Sequence, residues 1–163
     1  NISYTIHTDL HTNTAYSSLA TQITKIFPIA LNTFIIPTIY GRFIFNDGIP
    51  FMYSNVIGGE GYNPHYEQQI PFSGLPHTES TLKLLGNARI QIRHKFHGKQ
   101  YLTLSGNYAI HQNQFSNFLQ GKKIYGTSIG YGYDSPLGPI EGFICYSNRT
   151  NKLGFYLNIG FGF

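Results

Sequence analysis

Charge is scarce in this chain of 163 residues: Asp, Glu, Lys and Arg together make up 11%, less than half of the about 25% usual in soluble domains. So few charges cannot clothe an ordinary water-facing surface. Tryptophan is absent, and cysteine and methionine occur once each. The lone Cys145 closes no internal disulfide and, with no second thiol or nearby histidine, completes no metal set; it reads as a small packing residue. No apolar run approaches the roughly 18 to 20 residues of a spanning helix, which excludes helical spanning. The formal charge is +4 and the basic residues form no long run, so a nucleic-acid arm is not expected. The chain opens Asn1-Ile2-Ser3-Tyr4, without an initiator Met or a signal-peptide pattern, and reads as a processed or truncated product.

What the chain does have is Tyr and Phe, 13 of each, and Gly at 18 positions, laid out with a period of two. Such alternation sends successive side chains to opposite faces of a strand. At the end of the chain Leu153, Phe155, Leu157, Ile159, Phe161 and Phe163 fall on one face, and Gly154, Tyr156, Asn158, Gly160 and Gly162 on the other. Upstream, Tyr125, Thr127, Ile129, Tyr131 and Tyr133 oppose Gly126, Ser128, Gly130, Gly132 and Asp134. Over 88–96, Ala88, Ile90, Ile92, His94 and Phe96 oppose Arg89, Gln91, Arg93 and Lys95, and over 102–110 Leu102, Leu104, Gly106, Tyr108 and Ile110 oppose Thr103, Ser105, Asn107 and Ala109. The start behaves likewise, with Ile2, Tyr4, Ile6 and Leu10 against Ser3, Thr5, His7 and Asp9.

Backbone groups in hydrocarbon must all be paired, so a chain without spanning helices crosses a membrane only as a closed barrel. An oily face backed by a small or polar face is the pattern of such a barrel; a soluble β-sandwich is the competing fold. Residues 33–45 are apolar on both faces, so one of them should meet packed protein, and Pro37 predicts a local ladder defect. Residues 16–27 would suit a short helix or a strand and are read as strand. Turn chemistry at 46–48, 97–99, 134–139 and 148–151 separates the runs and implies antiparallel neighbours. Residues 58–80 are too long and irregular for a hairpin and read as a functional loop. The expected fold is all-β: about eight or nine antiparallel strands of roughly 9 to 12 residues, long enough to cross a bilayer at a tilt.

Several motifs invite chemical readings. Gly126-Thr127-Ser128-Ile129-Gly130 matches the G-x-S-x-G elbow and Asp47-Gly48 the second half of a Ser-Asp dyad. The elbow needs a strand, a strained turn and a helix, whereas Ser128 lies inside unbroken alternation and Asp47 precedes it. A soluble serine hydrolase using Ser128 is the weaker alternative. Gly58-Gly59-Glu60-Gly61 lacks the following helix and Lys-Ser/Thr pair of a phosphate cradle, and His94 and His97 lack the helical setting of a zinc protease. No catalytic residue, cofactor or metal is expected. Arg89, Arg93 and Lys95 read as a lumen-facing charged cluster with Glu141, neutralising it or Glu60, Glu67 and Glu79, with an anion-selective lumen as the alternative.

The stretch Tyr125-Gly-Thr-Ser-Ile-Gly-Tyr-Gly-Tyr-Asp-Ser-Pro-Leu-Gly-Pro-Ile-Glu141 and the end Ser147-Asn-Arg-Thr-Asn-Lys-Leu-Gly-Phe-Tyr-Leu-Asn-Ile-Gly-Phe-Gly-Phe163 resemble the barrel of bacterial patatin-like phospholipases. That barrel is similar to those of the outer-membrane surface-antigen superfamily. The resemblance extends to Asn55-Val56-Ile57-Gly58-Gly59, to Gln68–Leu75 and to the strand around Arg89 and Arg93, thus over most of 51–163 and more weakly the start.

The resemblance implies that residues 1–163 are the C-terminal portion of a larger outer-membrane barrel of about 16 strands, in a Gram-negative bacterium, anchoring an amino-terminal lipid acyl hydrolase domain absent from this chain. It implies that 58–80 folds into the lumen, although the arginine motif of the superfamily's loop is missing: 58–80 holds no arginine. It makes Phe155, Leu157, Ile159, Phe161 and Phe163 the signal read by barrel-assembly machinery. Partners implied are outer-membrane lipids, that machinery, the remainder of the protein or other barrel strands, and a second copy in a homodimer; nucleic acid is not among them. A self-contained eight-stranded barrel with a structural or narrow-channel role is the alternative.

Overall fold

A computed structural model describes residues 2–9, 14–60 and 68–160. Nine strands form one antiparallel sheet: β1 (Ile2–Asp9), β2 (Thr14–Thr24), β3 (Phe27–Ala30), β4 (Thr33–Ile44), β7 (Leu84–His97), β8 (Gln100–Gln112), β9 (Lys122–Ser135), β10 (Gly138–Ser147) and β11 (Leu153–Ile159). Between β4 and β7 the short β5 (Asn55–Ile57) and β6 (Glu79–Thr81) pair separately. The spatial order is β1-β2-β4-β7-β8-β9-β10-β11, with β3 also on β4. Neighbours in sequence are neighbours in space except at two places, the β4–β7 junction and β2 with β3, which both pair with β4. The ladder runs from β1 to β11, and among the described residues these two strands are not paired with each other.

The alternation puts one face of the sheet bare and the other under cover. On β9, Ile124, Gly126, Ser128, Gly130 and Gly132 are buried, while Tyr125, Thr127, Ile129, Tyr131 and Tyr133 are exposed. The register sets Glu141 opposite Gly132 and Cys145 opposite Ser128, and Ser105 opposite Ser128 and Asn107 opposite Gly126, so the covered face is mostly small and polar. The bare face is apolar: Leu153, Phe155 and Ile159 are 78%, 71% and 70% exposed. Each such side chain forgoes roughly 1.5–3 kcal/mol of burial if that face meets water; hydrocarbon removes the penalty. Among the described residues no helix is long and apolar enough to cross a membrane.

Residues 16–27 resolve into strand: β2 and β3 follow one another along β4 with a break at Lys25 and Ile26. The Lys25 N–H donates to the Pro37 carbonyl. A strand residue's N–H and C=O point the same way, so the donor Pro37 lacks faces the break, while the register with β7 runs unshifted from Thr33 to Phe43. The two-faced apolarity of 33–45 also has a structural cause. Tyr40 and Ile44 are buried on the covered side, while Phe43 on the opposite side packs against Phe115 and Phe118 of the 3-10 segment Phe115–Gln120.

One expectation needs correction. The turn at 46–48 makes no hairpin, because β4 pairs with β7. The irregular region is therefore a single insertion over 45–83, wider than 58–80, and it holds β5, β6 and a 3-10 turn at Phe51–Tyr53. Glycine bends the chain at 48, and the chain then enters β5 instead of returning along β4 because its polar anchors lie on the covered face.

Candidate functional site

The insertion lies on the covered face of the sheet. Ile57, Ile70, Phe72 and Leu75 from the insertion cluster with Tyr40, Leu85, Ala109 and Ile124 from the strands, giving the molecule its one apolar core among the described residues. Around it the contacts are polar. Asn107 Nδ2 donates to the Pro71 carbonyl at 3.2 Å and Asn107 Oδ1 accepts from Ser73 Oγ at 3.0 Å. Ser73 Oγ also meets Ser128 Oγ at 3.1 Å, and the Gly74 carbonyl accepts from Ser147 Oγ at 2.9 Å and Thr150 Oγ1 at 3.1 Å. His77 stacks on Tyr156 of β11 with centroids 5.7 Å apart, its Nδ1 2.6 Å from the phenol oxygen.

Close approach explains the glycines here. A Cβ on Gly126 would lie 2.1 Å from the Ser73 carbonyl oxygen, and one on Gly74 2.3 Å from the Tyr146 carbonyl carbon. Gly74 also has φ +78°, a left-handed conformation open to glycine at no steric cost. Insertion and sheet thus meet backbone to backbone.

Two ion pairs lie on the covered face, one between insertion and sheet and one between two strands of the sheet. Arg89 Nη2 stands 3.2 Å from Glu60 Oε2, with the side chains only 6% and 1% exposed, and 3.5 Å from Ser105 Oγ. Burial holds the Glu60 carboxyl above the usual carboxylate range; Arg89 and the Ser73 and Ser128 hydroxyls pull it down, and Glu141 pushes it up. The second pair sits four residues further along β7 and joins it to β10. Arg93 Nη2 lies 3.4 Å from Glu141 Oε1, its Nε donates to Thr103 Oγ1 at 3.3 Å, and its guanidinium covers the Tyr101 ring at 4.7 Å. The Tyr101 hydroxyl donates to the same carboxylate oxygen at 2.7 Å. Glu141 is wholly buried.

The expected cluster is thus split. Arg89 and Arg93 stand in separate pairs, Glu60 and Glu141 taking one each, while Lys95 stays outside both and meets Asp134 at 3.6 Å, about half exposed on each side. Glu79 binds Arg149 at 2.9 Å at the opposite end of the strands. Glu67, Phe161 and Phe163 lie outside the described residues; Phe155, Leu157 and Ile159 stand on the bare face. Ser128 sits inside β9 with strand on both sides, not on an elbow.

Arg42 and Asn55 escaped the sequence reading. Buried Arg42 donates to the Ser54 carbonyl at 3.1 Å, Asn55 Oδ1 at 3.2 Å and Ser18 Oγ at 3.2 Å. Asn55 Nδ2 donates to the Leu82 and Lys83 carbonyls, each at 2.8 Å, so both ends of the insertion are tied to one side chain. The signal was an arginine alone in the apolar run 33–45, a charge that only paired burial can tolerate.

Chemically this arrangement is a plug joined to the wall by a buried ion pair, hydrogen bonds and an apolar core. No curated protein matches the sequence. A family model does match, that of the OMP85 superfamily, over residues 2–163. The all-β antiparallel sheet, the oily bare face and the filled inner face agree with that match, and the chain belongs to the OMP85 superfamily of outer-membrane β-barrels.

Proposed function

We propose that this chain is the C-terminal portion of a barrel of about 16 strands in the outer membrane of a Gram-negative bacterium. It anchors a patatin-like phospholipase, a lipid acyl hydrolase whose catalytic domain lies outside these residues. The observation that carries the reading is how the covered face is filled. An anchor needs a rigid, closed interior, and here an insertion is pinned by the buried Glu60–Arg89 pair and by backbone-to-backbone contact, while Arg93 and Glu141 tie β7 to β10 across the covered face. The insertion brings an acid, Glu60, to an arginine of the wall, and 58–80 holds no arginine. Buried pairs are costly to open, since stripping one partner strands a charge; that argues for a permanent plug over a gated conduit. Strand edges left unpaired in hydrocarbon are intolerable, so in this reading further strands adjoin β1 and β11 and complete the ring. Phe155, Leu157, Ile159, Phe161 and Phe163 serve as the assembly signal, their oily side chains also seating the last strand in lipid.

The test uses the full-length parent protein and a fluorophosphonate probe. The expected result is labelling upstream of residue 1, with loss of membrane retention when residues 1–163 are deleted. Labelling of Ser128, or retention without the barrel, overturns the reading. Efficient disulfide formation between cysteines placed at Ser3 and Asn158 of the inserted chain would favour the self-contained eight-stranded barrel.

A further inference from the structure

The bare face has a depression. A trough of about 430 Å³ is lined there by Pro37, Ile39, Ala88, Ile90, Gly106 and Tyr108. Register explains it: Ala88 lies between Ile39 and Tyr108, and Gly106 lies opposite Ile90, so two of the smallest side chains form a floor between bulky walls. A Cβ on Gly106 would meet nothing closer than Ile90 Cγ2 at 3.8 Å, so the floor is low because a side chain is missing, not because the backbone is crowded.

Charge supplies an independent observation. Lys122 and Lys123 open β9, both exposed. Lys123 pairs with Ile110 and Tyr125 with Tyr108, so Lys123 stands on the bare face one same-face step, about 7 Å, beyond the trough wall. Asn148 Nδ2 donates to the Lys123 carbonyl at 3.4 Å, which ties the β10–β11 turn to this end of β9. Lys122 shares the covered side with Ile124 and Gly126; among the described residues Lys123 joins no ion pair, whereas Arg149 is already bound to Glu79.

Connection length sets which leaflet this rim meets. The β3–β4, β7–β8 and β9–β10 turns are tight and lie at the other end; the 45–83 insertion and the 113–121 connection lie at the lysine end. Outer-membrane barrels keep short turns on the periplasmic side and long connections outside, so the lysines border the outer leaflet.

The geometry points to a binding site for a phosphorylated glycolipid of the outer leaflet, with its phosphate at Lys123 and one acyl chain in the trough between Ile39, Ile90 and Tyr108. The trough supplies shape and the rim supplies charge; neither alone selects such a lipid. This site rests on the membrane-barrel assignment and is independent of the phospholipase reading.

The test reconstitutes the full chain in phosphatidylcholine vesicles carrying a lipid with a photoactivatable acyl chain. One arm uses a diphosphorylated glucosamine headgroup, the other phosphatidylglycerol, and adducts are mapped by mass spectrometry. Glycolipid adducts should concentrate on 88–90 and 106–108. Lys123→Gln should lower them about fivefold, the electrostatic worth of one lysine near a charged surface. Gly106→Phe should remove them while adducts around Ile144 and Phe155 persist. Even labelling of the whole bare face, or indifference to Gly106→Phe, overturns the site, and equal labelling by phosphatidylglycerol overturns the outer-leaflet source. Heat-modifiable gel mobility reports insertion separately: its absence in the unmodified chain refutes the barrel, its presence without focused labelling refutes only the site. Should Gly106→Phe fail to insert, Ala88→Leu fills the same trough from β7.

Discussion

Two faces of one strand behave as if they belonged to different proteins. On β9 the aromatic face, Tyr125, Tyr131 and Tyr133 with Ile129, is exposed, while the face of Gly126, Ser128, Gly130 and Gly132 is buried. A water-soluble sheet would reverse this. The difference teaches that burial along Gly126–Gly132 follows from close backbone approach and polar contact, with oily burial confined to the cluster around Ile57, Phe72 and Ile124; the exposed aromatic side chains are stabilised by the solvent they meet, which is lipid.

Perturbing each face separately sharpens that contrast. The largest effect is expected from Arg89→Ala, which leaves the buried Glu60 carboxyl without its cation and should cost about 4 kcal/mol, measured by urea unfolding in vesicles; a change below about 1 kcal/mol would mean that the pair is solvated. Next comes the bare face. Ile129→Arg should cost about 3 kcal/mol if Ile129 lies near the bilayer midplane, and an unchanged unfolding midpoint would break the assignment of that face to lipid. Gly126→Ala, whose Cβ meets the Ser73 carbonyl oxygen at 2.1 Å, should cost about 2 kcal/mol and expose 68–81 to protease while leaving the strands inserted.

The smallest effect concerns pH. Because burial lifts the Glu60 carboxyl above its ordinary range, the docked state binds a proton more readily than the undocked one. Docking is therefore fully favoured below the ordinary carboxylate range and weakens as pH rises through the lifted value. Protease protection of 68–81 should decline across that window in the natural chain and stay flat in Glu60→Gln; a decline of equal size in both would assign the dependence to another group.

Much of this was legible from spacing. Period-two alternation assigned residues such as Leu153, Ile129 and Arg93 to faces correctly because side-chain direction in a strand depends only on parity. The match Glu60 to Arg89 and Glu141 to Arg93, with Lys95 left to Asp134, was not legible, since it depends on the stagger between strands and on the depth to which the insertion reaches. Nor could sequence foresee Asn55 closing both ends of the insertion, a role set by two carbonyls nearly thirty residues away. The turn at 46–48 misled because local turn chemistry says that the chain bends, not which strand receives it.

By itself, then, the order of residues determined an all-β chain with one oily and one polar face per strand, because backbone geometry and side-chain polarity are local properties. Tertiary structure alone decided that β4 pairs with β7 across a 39-residue detour over 45–83, that the detour fills the covered face, and which charges meet there. Those outcomes follow from distances between segments far apart in the chain, and no local rule contains them.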